Sequence, residues 1–279
     1  MESTAPAPHV DPAPAGPAGR TITVFSPKGG TGKTTVATNL AVALHQDGRQ
    51  RVCLVDLDLE FGDVAISLRL EPVKSLVDAV NGELERDEDD AVGTLTTEYR
   101  PGLDCILAPI EPGDAAKIPA DIVTALLAVL PYRYDYVVVD TPSQFSEIVL
   151  AALDASDHHV LITNPELPSL KNLRLTLDML DLLRYGHEQR SIVFNRADDS
   201  SGLSETDLGD ALRAPIAARV PASRDVPASI NRGVPIVAAR PDHPVSKAIR
   251  AFATDVLIGD KASAHNSAGL GRLFRRRSA

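Results

Sequence analysis

The chain has 279 residues, of which 44% are hydrophobic and 24% charged, and its formal net charge is −10. This composition is that of an ordinary soluble globular protein, long enough for one α/β domain of about 240 residues plus tails. No apolar run reaches the roughly 18 residues that predict a transmembrane helix. The acidic balance and the lack of tryptophan argue against broad nucleic-acid binding.

Residues 1–19 are rich in alanine, proline and glycine and lack the apolar segment of a secretory signal. We expect them to form a disordered leader.

The two cysteines, Cys53 and Cys105, lie inside apolar runs that we predict to be strands. Buried, reduced thiols of a cytoplasmic protein are the favoured interpretation, and a disulfide or a metal pair is the alternative.

A glycine-rich stretch, residues 26–35 (SPKGGTGKTT, the glycine loop), lies between a β-branched run and an apolar helical pattern. Glycines allow backbone N–H groups to turn toward a phosphate, and the start of a helix favours negative charge. Lys33 would supply a cation to the β- and γ-phosphates, and Thr34 a hydroxyl ligand for Mg²⁺. The sequence therefore predicts a nucleoside triphosphate site, with a chance glycine turn as the alternative.

Two later apolar runs end in acids. Residues 51–56 end at Asp56 and are followed by Asp58, and residues 134–140 end at Asp140. Ligands of open parallel sheets gather at the carboxyl ends of the strands, so we expect these carboxylates near the phosphates. There they would support Mg²⁺ or orient an attacking water. A solvated turn is the alternative for the Asp56-Leu57-Asp58 segment.

A further predicted strand ends at Asn195 and Arg196. Asparagine offers both a donor and an acceptor, which the N6 and N7 edge of adenine requires. A plain strand-end turn is the competing interpretation. The adjacent His158 and His159 are expected to point to opposite faces of a strand, which argues against a shared metal.

Residues 169–183 have leucines at helical spacing. The pattern predicts a helix that begins with Ser169 as its cap, and whose leucine stripe lies in the core or in a subunit interface.

The glycine loop also carries a second lysine, Lys28, and has Pro27 where the generic phosphate loop has its first glycine. In these features it resembles the deviant Walker A loop of the MinD/ParA family of dimerising ATPases. The likeness extends over residues 20–257. It implies an α/β fold with a doubly wound, mainly parallel sheet, of the P-loop NTPase type. It also implies a homodimer that encloses ATP, in which Lys28 reaches the partner's nucleotide.

The same resemblance implies the roles of the site residues. Catalytic roles fall to Lys28, Lys33 and Asp58. The metal site would use Thr34, Asp56 and Asp140. Nucleotide contacts would come from Gly29, Gly30, Thr31, Gly32, Lys33, Thr34, Thr35, Asn195, Arg196 and Pro221. The family's usual acid-x-Pro-x-Gly pattern lacks its glycine here, because Asp140 is followed by Thr-Pro-Ser-Gln-Phe. ATP binding without hydrolysis is therefore an alternative.

After a predicted linker, residues 258–268, the chain ends in GLGRLFRRRSA, residues 269–279. Leu270, Leu273 and Phe274 would share one helical face, and arginines the other. MinD ends in a similar amphipathic helix, so we expect this tail to bind an anionic membrane surface. A merely solvated basic terminus is the alternative.

Within the family, the motifs most resemble the CpaE/TadZ branch, which localises the machinery that assembles Flp-type pili. The resemblance implies a cytoplasmic ATPase, peripheral to the membrane, that uses ATP and Mg²⁺ and has an unidentified protein partner in pilus or secretion machinery. The first alternative is a ParA-type DNA partition ATPase, although nucleic acid is the less favoured partner. An electron-transfer iron protein would need cysteines in loops, and a tyrosine autokinase a tyrosine-rich tail. A non-hydrolysing scaffold is the last alternative.

Overall fold

The computed structural model describes residues 18–259, except residues 73, 82–90, 112, 198–201 and 203–204. The strands are β1 (Arg20–Phe25), β2 (Val52–Asp56), β3 (Thr96–Arg100), β4 (Leu103–Ile106), β5 (Tyr136–Asp140), β6 (His158–Thr163), β7 (Arg190–Ala197) and β8 (Ile216–Pro221). They form one eight-stranded sheet in the order β3-β4-β2-β5-β1-β6-β7-β8. Only the edge pair β3 and β4 is antiparallel, which confirms the predicted doubly wound, mainly parallel sheet.

Helices cover both faces of the sheet. They are α1 (Lys33–His45), α2 (Val64–Leu68), α3 (Leu76–Asn81), α4 (Ala91–Leu95), α5 (Ala120–Val129), α6 (Glu147–Asp154), α7 (Leu167–Leu182), α8 (Glu205–Leu212), α9 (Asp225–Ile230), α10 (Ile236–Ala239) and α11 (Pro244–Phe252). A π-helical segment, Ala253–Ile258, follows α11. Every helix among the described residues is too short or too polar to cross a bilayer.

The central strands are apolar on both faces because both faces are covered. In β5, Val138 packs in the cluster that contains α1, α10 and α11, whereas Val137 and Val139 pack in the cluster that contains α5. A third cluster joins β1 and β6 to α6, α7 and α8. The sheet is therefore the middle layer of three, and polar groups are displaced to its edges and ends.

The strand register fixes where the functional side chains meet. Asp56 of β2 pairs with Asp140 of β5, and Val24 of β1 pairs with the same Asp140. Three neighbouring strands thus end at nearly the same level, and the glycine loop leaves β1 directly beside the two aspartates. Strand pairing thus brings these distant parts of the sequence together.

One helix boundary was predicted wrongly. The helix of the leucine stripe begins at Leu167 rather than after Ser169, and its N-cap is Glu166. Ser169 lies inside the first turn, where its hydroxyl hydrogen bonds with that of Thr163 over 3.0 Å. Ser169 therefore stabilises the end of β6 and does not cap the helix. The sequence alone does not distinguish these two roles. The leucines themselves are buried, as predicted: Leu170, Leu173, Leu177 and Leu180.

The two adjacent histidines of β6 lie on opposite faces, as predicted. The Nε2 atom of His158 lies 2.9 Å from the hydroxyl of Ser191, and that of His159 lies 3.0 Å from the carbonyl oxygen of Leu153. Cys53 and Cys105 are free and buried. Burial raises the pKa of both thiols, so neither is a nucleophile at neutral pH.

Candidate functional site

The glycine loop is braced by its own residues. The hydroxyl of Thr31 donates to the carbonyl of Lys28 over 3.2 Å, and the N–H of Lys28 to the hydroxyl of Ser26 over 3.4 Å. Gly32 has φ +95°, and a Cβ atom there would lie 2.5 Å from Nδ2 of Asn195. Only glycine fits at this point, and the loop keeps a fixed curvature before α1 begins.

The first turn of α1 faces the inside of this loop. Lys33 begins the helix, and its first turn contains no acidic residue. Gly32, the N-cap, has no side chain with which to satisfy the free N–H groups of Thr34 and Thr35. A helix start of this kind carries partial positive charge and binds phosphate oxygens. The exposed Gly29 and Gly30 leave the approach from solvent open.

Lys33 is nearly buried, and its ammonium donates to the hydroxyl of Ser143 over 2.6 Å. Ser143 belongs to the loop between β5 and α6, residues 141–146, which we call the proline loop. Burial raises the pKa of Asp58 and of Asp140, and the Lys33 ammonium opposes this rise in both, because its positive charge lies near the two carboxyls. The contact of Ser143 with Lys33 was not predicted, because the two residues are 110 positions apart in the sequence.

Asp140 is completely buried at the end of β5, and neither of its carboxylate oxygens has a hydrogen-bond partner among the described residues. Burial raises its pKa to about 7, against the opposing influence of the Thr34 hydroxyl and the Lys33 ammonium. A buried carboxylate without a partner is costly unless a proton or a cation neutralises it. The site therefore fits a cation beside Asp140.

Asp56 is also buried, but both of its oxygens are occupied. One accepts the N–H of Asp58 and the other the N–H of Val64, each over 3.1 Å. Burial and the neighbouring Asp140 raise its pKa. Its carboxylate thus fixes both ends of residues 57–63, which we call the aspartate loop. Gly62 packs beneath it, because a Cβ atom there would lie 2.6 Å from Asp56 Oδ2.

The aspartate loop places Asp58 half-buried near Lys33. Burial raises the pKa of Asp58, and the ammonium of Lys33 acts in the opposite direction. A half-exposed carboxylate beside the phosphate-facing lysine is accessible to water and suited to orient it.

The donor set suits Mg²⁺ rather than zinc. Among the described residues, no group of three or more histidine, cysteine or carboxylate side chains is arranged to hold a metal ion by itself. Mg²⁺ retains several waters and takes few protein ligands besides phosphate oxygens. The hydroxyl of Thr34 and the carboxylate of Asp140 match this requirement, and Asp56 can act only through water or through the loop that it fixes.

Lys28 lies at the rim of the site, where its ammonium donates to the carboxylate of Glu166. This hydrogen bond lowers the pKa of Glu166. The other oxygen of Glu166 accepts the amide N–H of Asn164 over 3.0 Å. Because the pair is largely exposed, it contributes little to stability and can be exchanged for another partner. The sequence analysis did not find Glu166, which lies 138 residues from Lys28.

A cavity of about 500 Å³ lies next to the glycine loop. It runs between the first turn of α1 and the start of α9, and its volume suits a nucleoside. Arg196, exposed at its rim, has φ +55°, in the left-handed region that non-glycine residues rarely adopt. The predicted contacts Gly32, Thr35, Asn195, Arg196 and Pro221 all line this cavity.

Asn195 makes a contact that the sequence analysis did not predict. Its amide N–H donates to the carbonyl of Thr31 over 2.7 Å. The side chain therefore joins the end of β7 to the glycine loop and supports the wall between the phosphate and nucleoside parts of the site.

The structure thus brings every predicted site residue to the carboxyl edge of β1, β2, β5, β7 and β8. An open, mainly parallel sheet with a glycine loop between its central strand and the following helix defines the P-loop class of nucleotide-binding proteins. The model of one family, the CobQ/CobB/MinD/ParA nucleotide binding domain, matches residues 22–236. The chain belongs to this family.

Individual proteins are also similar to this chain in sequence or in structure. The septum site-determining protein MinD of Thermotoga maritima is 27% identical over 227 residues, 78% of this chain and 81% of that protein. The crystal structure of a ParA family ATPase from Chlorobium tepidum superposes with a TM-score of 0.78 at 27% identity, covering 85% of this chain and 99% of that one. MinD of Pyrococcus horikoshii, complexed with Mg-ADP, shares the fold with a TM-score of 0.74 at 23% identity, covering 85% of this chain and 95% of that one.

The buried carboxyl of Asp140 predicts a pH-dependent stability. Its pKa in the folded protein is about 7, and the ordinary value is 3.8, so the folded state binds the proton more tightly. The free energy of unfolding of the nucleotide-free protein should therefore fall as pH rises from about 4 to about 7. Asp140→Asn removes the charge and should raise the free energy of unfolding at pH 8. For each kcal/mol of this increase, we expect the melting temperature to rise by about 2–4 °C.

Thermal unfolding of both proteins at pH 5 and pH 8, without and with Mg²⁺-ATP, checks this. At pH 5 the two melting temperatures should differ less than at pH 8, because Asp140 of the folded wild-type protein is then protonated and only part of the loss between about pH 4 and about pH 7 has occurred. At pH 8 the variant should also lose the Mg²⁺-dependent part of its stabilisation by nucleotide. A lower melting temperature for Asp140→Asn at pH 8 would contradict the account.

Proposed function

We propose that this protein is an ATPase that binds Mg²⁺-ATP, dimerises around the bound nucleotides and hydrolyses them slowly. The observation that supports it most strongly is the meeting of three features: an open helix start in the glycine loop, the Lys33 ammonium and the partnerless carboxylate of Asp140. Family membership and the Mg-ADP complex of the Pyrococcus horikoshii relative agree with this assignment.

In this proposal the glycine loop binds the phosphates through its backbone N–H groups, and Lys33 leaves the hydroxyl of Ser143 to contact the β- and γ-phosphates. Thr34 and Asp140 hold Mg²⁺, which when bound neutralises charge on the phosphate oxygens. Asp56 fixes the aspartate loop, and Asp58 orients the attacking water. Gly29, Gly30, Thr31, Gly32 and Thr35 line the phosphates, while Asn195, Arg196 and Pro221 wall the nucleoside.

Hydrolysis forms a bond from the water oxygen to the γ-phosphorus and breaks the bond to the bridging oxygen. ADP takes the electron pair of that bond, and one proton of the water is released. The resemblance to the deviant Walker A loop implies that Lys28 acts across a homodimer. There it would stabilise the negative charge on the phosphate oxygens of the partner's nucleotide during hydrolysis. Lys28 would exchange its contact with Glu166 for one with the partner's nucleotide. Dimer formation would then depend on bound ATP.

The direct test is phosphate release by the wild-type protein with Mg²⁺-ATP, compared with the same reaction after chelation of Mg²⁺. Slow release that requires Mg²⁺ is expected. Tight ATP binding without release would instead support the alternative of a non-hydrolysing scaffold.

At the level of the cell, we propose that the ATP-bound dimer positions a machine at the inner face of the membrane, as a member of the CpaE/TadZ branch that serves pilus or secretion apparatus. Support comes from the motif likeness and from the amphipathic pattern of residues 269–279. That tail lies outside the described residues. One such short element binds weakly, and two in a dimer bind better through effective concentration.

Deletion of residues 269–279 is expected to abolish ATP-dependent sedimentation with liposomes that contain anionic lipid, while phosphate release is retained. The matched control replaces Arg275, Arg276 and Arg277 with glutamine and leaves Leu270, Leu273 and Phe274 in place, and it should show weaker binding with a smaller salt dependence. Unchanged sedimentation after the deletion would exclude a membrane role for the tail.

A further inference from the structure

The proline loop differs from the pattern of its family at one position. The sequence Asp140-Thr141-Pro142-Ser143-Gln144 has glutamine where the acid-x-Pro-x-Gly pattern has glycine. A glycine there contributes only its backbone, whereas glutamine adds an amide with a donor and an acceptor. The substitution therefore places a new polar group at the mouth of the site.

Contacts at both ends fix the proline loop. The hydroxyl of Thr141 donates to the carbonyl of Val24 over 2.8 Å. The ring of Phe145 packs edge-on against that of Phe25, with centroids 5.4 Å apart. The hydroxyl of Ser146 then caps α6. Between these anchors, Ser143 and Gln144 have little freedom to move relative to β1 and the glycine loop.

Gln144 is adjacent to the phosphate end of the site. Its neighbour Ser143 accepts a hydrogen bond from Lys33 over 2.6 Å, and consecutive Cα atoms are about 3.8 Å apart. Gln144 also lines a cavity of about 380 Å³ that Asp58 and Phe61 of the aspartate loop line as well. The two loops thus share a space large enough for several waters.

Nothing in the fold uses the Gln144 side chain. It is exposed, and its amide has no hydrogen-bond partner among the described residues. A structural role would require a hydrogen bond or a packing contact, whereas Gln144 lines the cavity that Asp58 also lines. Its free amide is available to a ligand in the cavity.

We propose that Gln144 is a second water-positioning residue, acting with Asp58, in the ATPase reaction. The proposal rests on the proposed function. The amide oxygen accepts one hydrogen of the attacking water, and the amide N–H donates to an oxygen of the γ-phosphate. Asp58 accepts the other hydrogen of the water. The water oxygen then bonds to phosphorus as the bond to the bridging oxygen breaks, ADP leaves with the electron pair, and the proton passes to solvent.

The test is Gln144→Ala, measured for phosphate release, for affinity toward a non-hydrolysable ATP analogue and for affinity toward ADP with aluminium fluoride. The last complex imitates the planar phosphoryl group with water in line. We expect kcat to fall by roughly 10- to 100-fold. Affinity for the ADP–aluminium fluoride complex should fall with it, while affinity for the ATP analogue and the melting temperature stay as in wild type.

Gln189→Ala is the matched control. Gln189 is also exposed, but it lies in the turn before β7, at the opposite end of the sheet. It should hydrolyse ATP like wild type. Unchanged kcat in Gln144→Ala, or equal losses in all the affinities, would overturn the role of Gln144 and leave the ATPase assignment intact. Wild-type protein without phosphate release would instead contradict the proposed function, and the role of Gln144 with it.

Discussion

Lys33→Ala is expected to reduce ATP affinity by roughly 100-fold and to bring phosphate release below detection. Lys33 is only 8% exposed, and its ammonium lies close enough to Asp58 and Asp140 to oppose the rise in pKa that burial causes in both carboxyls. Its removal takes away the positive charge for the phosphates. It also leaves the negative site less balanced, so anionic ATP meets repulsion as well as a lost contact.

Calorimetric titration with Mg²⁺-ATP measures this loss. Lys171→Ala is the matched control, because Lys171 is exposed on α7 and lies outside the glycine loop. That variant should bind ATP like wild type. Retention of wild-type affinity by Lys33→Ala would contradict the placement of the β- and γ-phosphates at the start of α1.

Lys28→Ala is expected to retain ATP binding but to lose ATP-dependent dimers, and with them at least roughly 100-fold in the rate of hydrolysis. Lys28 lies at the rim of the site and donates to Glu166, outside the space between the glycine loop and Asp140. A residue so placed is not needed to bind nucleotide within one chain. It can reach a nucleotide in a facing subunit once it leaves Glu166.

Glu166→Gln separates the two explanations of such a loss. It removes the ion pair and keeps Lys28, so dimerisation and hydrolysis should persist or increase if Lys28 acts across the dimer. If the contact between Lys28 and Glu166 were important only for the shape of the loop, both variants would lose activity together. Analytical ultracentrifugation and phosphate release, measured on the same samples, distinguish these outcomes.

The parts of the site that are local in sequence were predictable. The glycine loop, the strand before it and the helix after it are consecutive, so residue spacing alone indicates their arrangement. Asp56 and Asp140 were predictable for a different reason. Each ends a continuous apolar run, and parallel strands bring such ends to one edge, which the pairing of these two aspartates confirms.

The parts that were missed depend on contacts between distant residues. Ser143 meets Lys33 across 110 residues, and Glu166 meets Lys28 across 138. No periodicity or spacing encodes such pairs. The same applies to Asp56, whose two backbone donors arise from the fold of the aspartate loop. Local chemistry identified the carboxylate, but only the structure shows that it fixes a loop.

The wrong helix start at Ser169 has a similar cause. A serine before an apolar pattern favours a cap, but here the helix begins earlier, after Pro165 and the N-cap Glu166, and the hydroxyl of Ser169 hydrogen bonds with that of Thr163.

The edge strand β3 was also not predicted from the sequence. Its residues are half-exposed, which leaves no apolar alternation to detect.

We propose that ATP converts this chain into a dimer through the glycine loop. The most direct measurement is the mass of the wild-type protein in solution with Mg²⁺-ATP, with Mg²⁺-ADP and with nucleotide after chelation of Mg²⁺. We expect a dimer near twice 29.7 kDa with Mg²⁺-ATP and a monomer in the other two conditions. A monomer in all three conditions, with ATP bound, would contradict it.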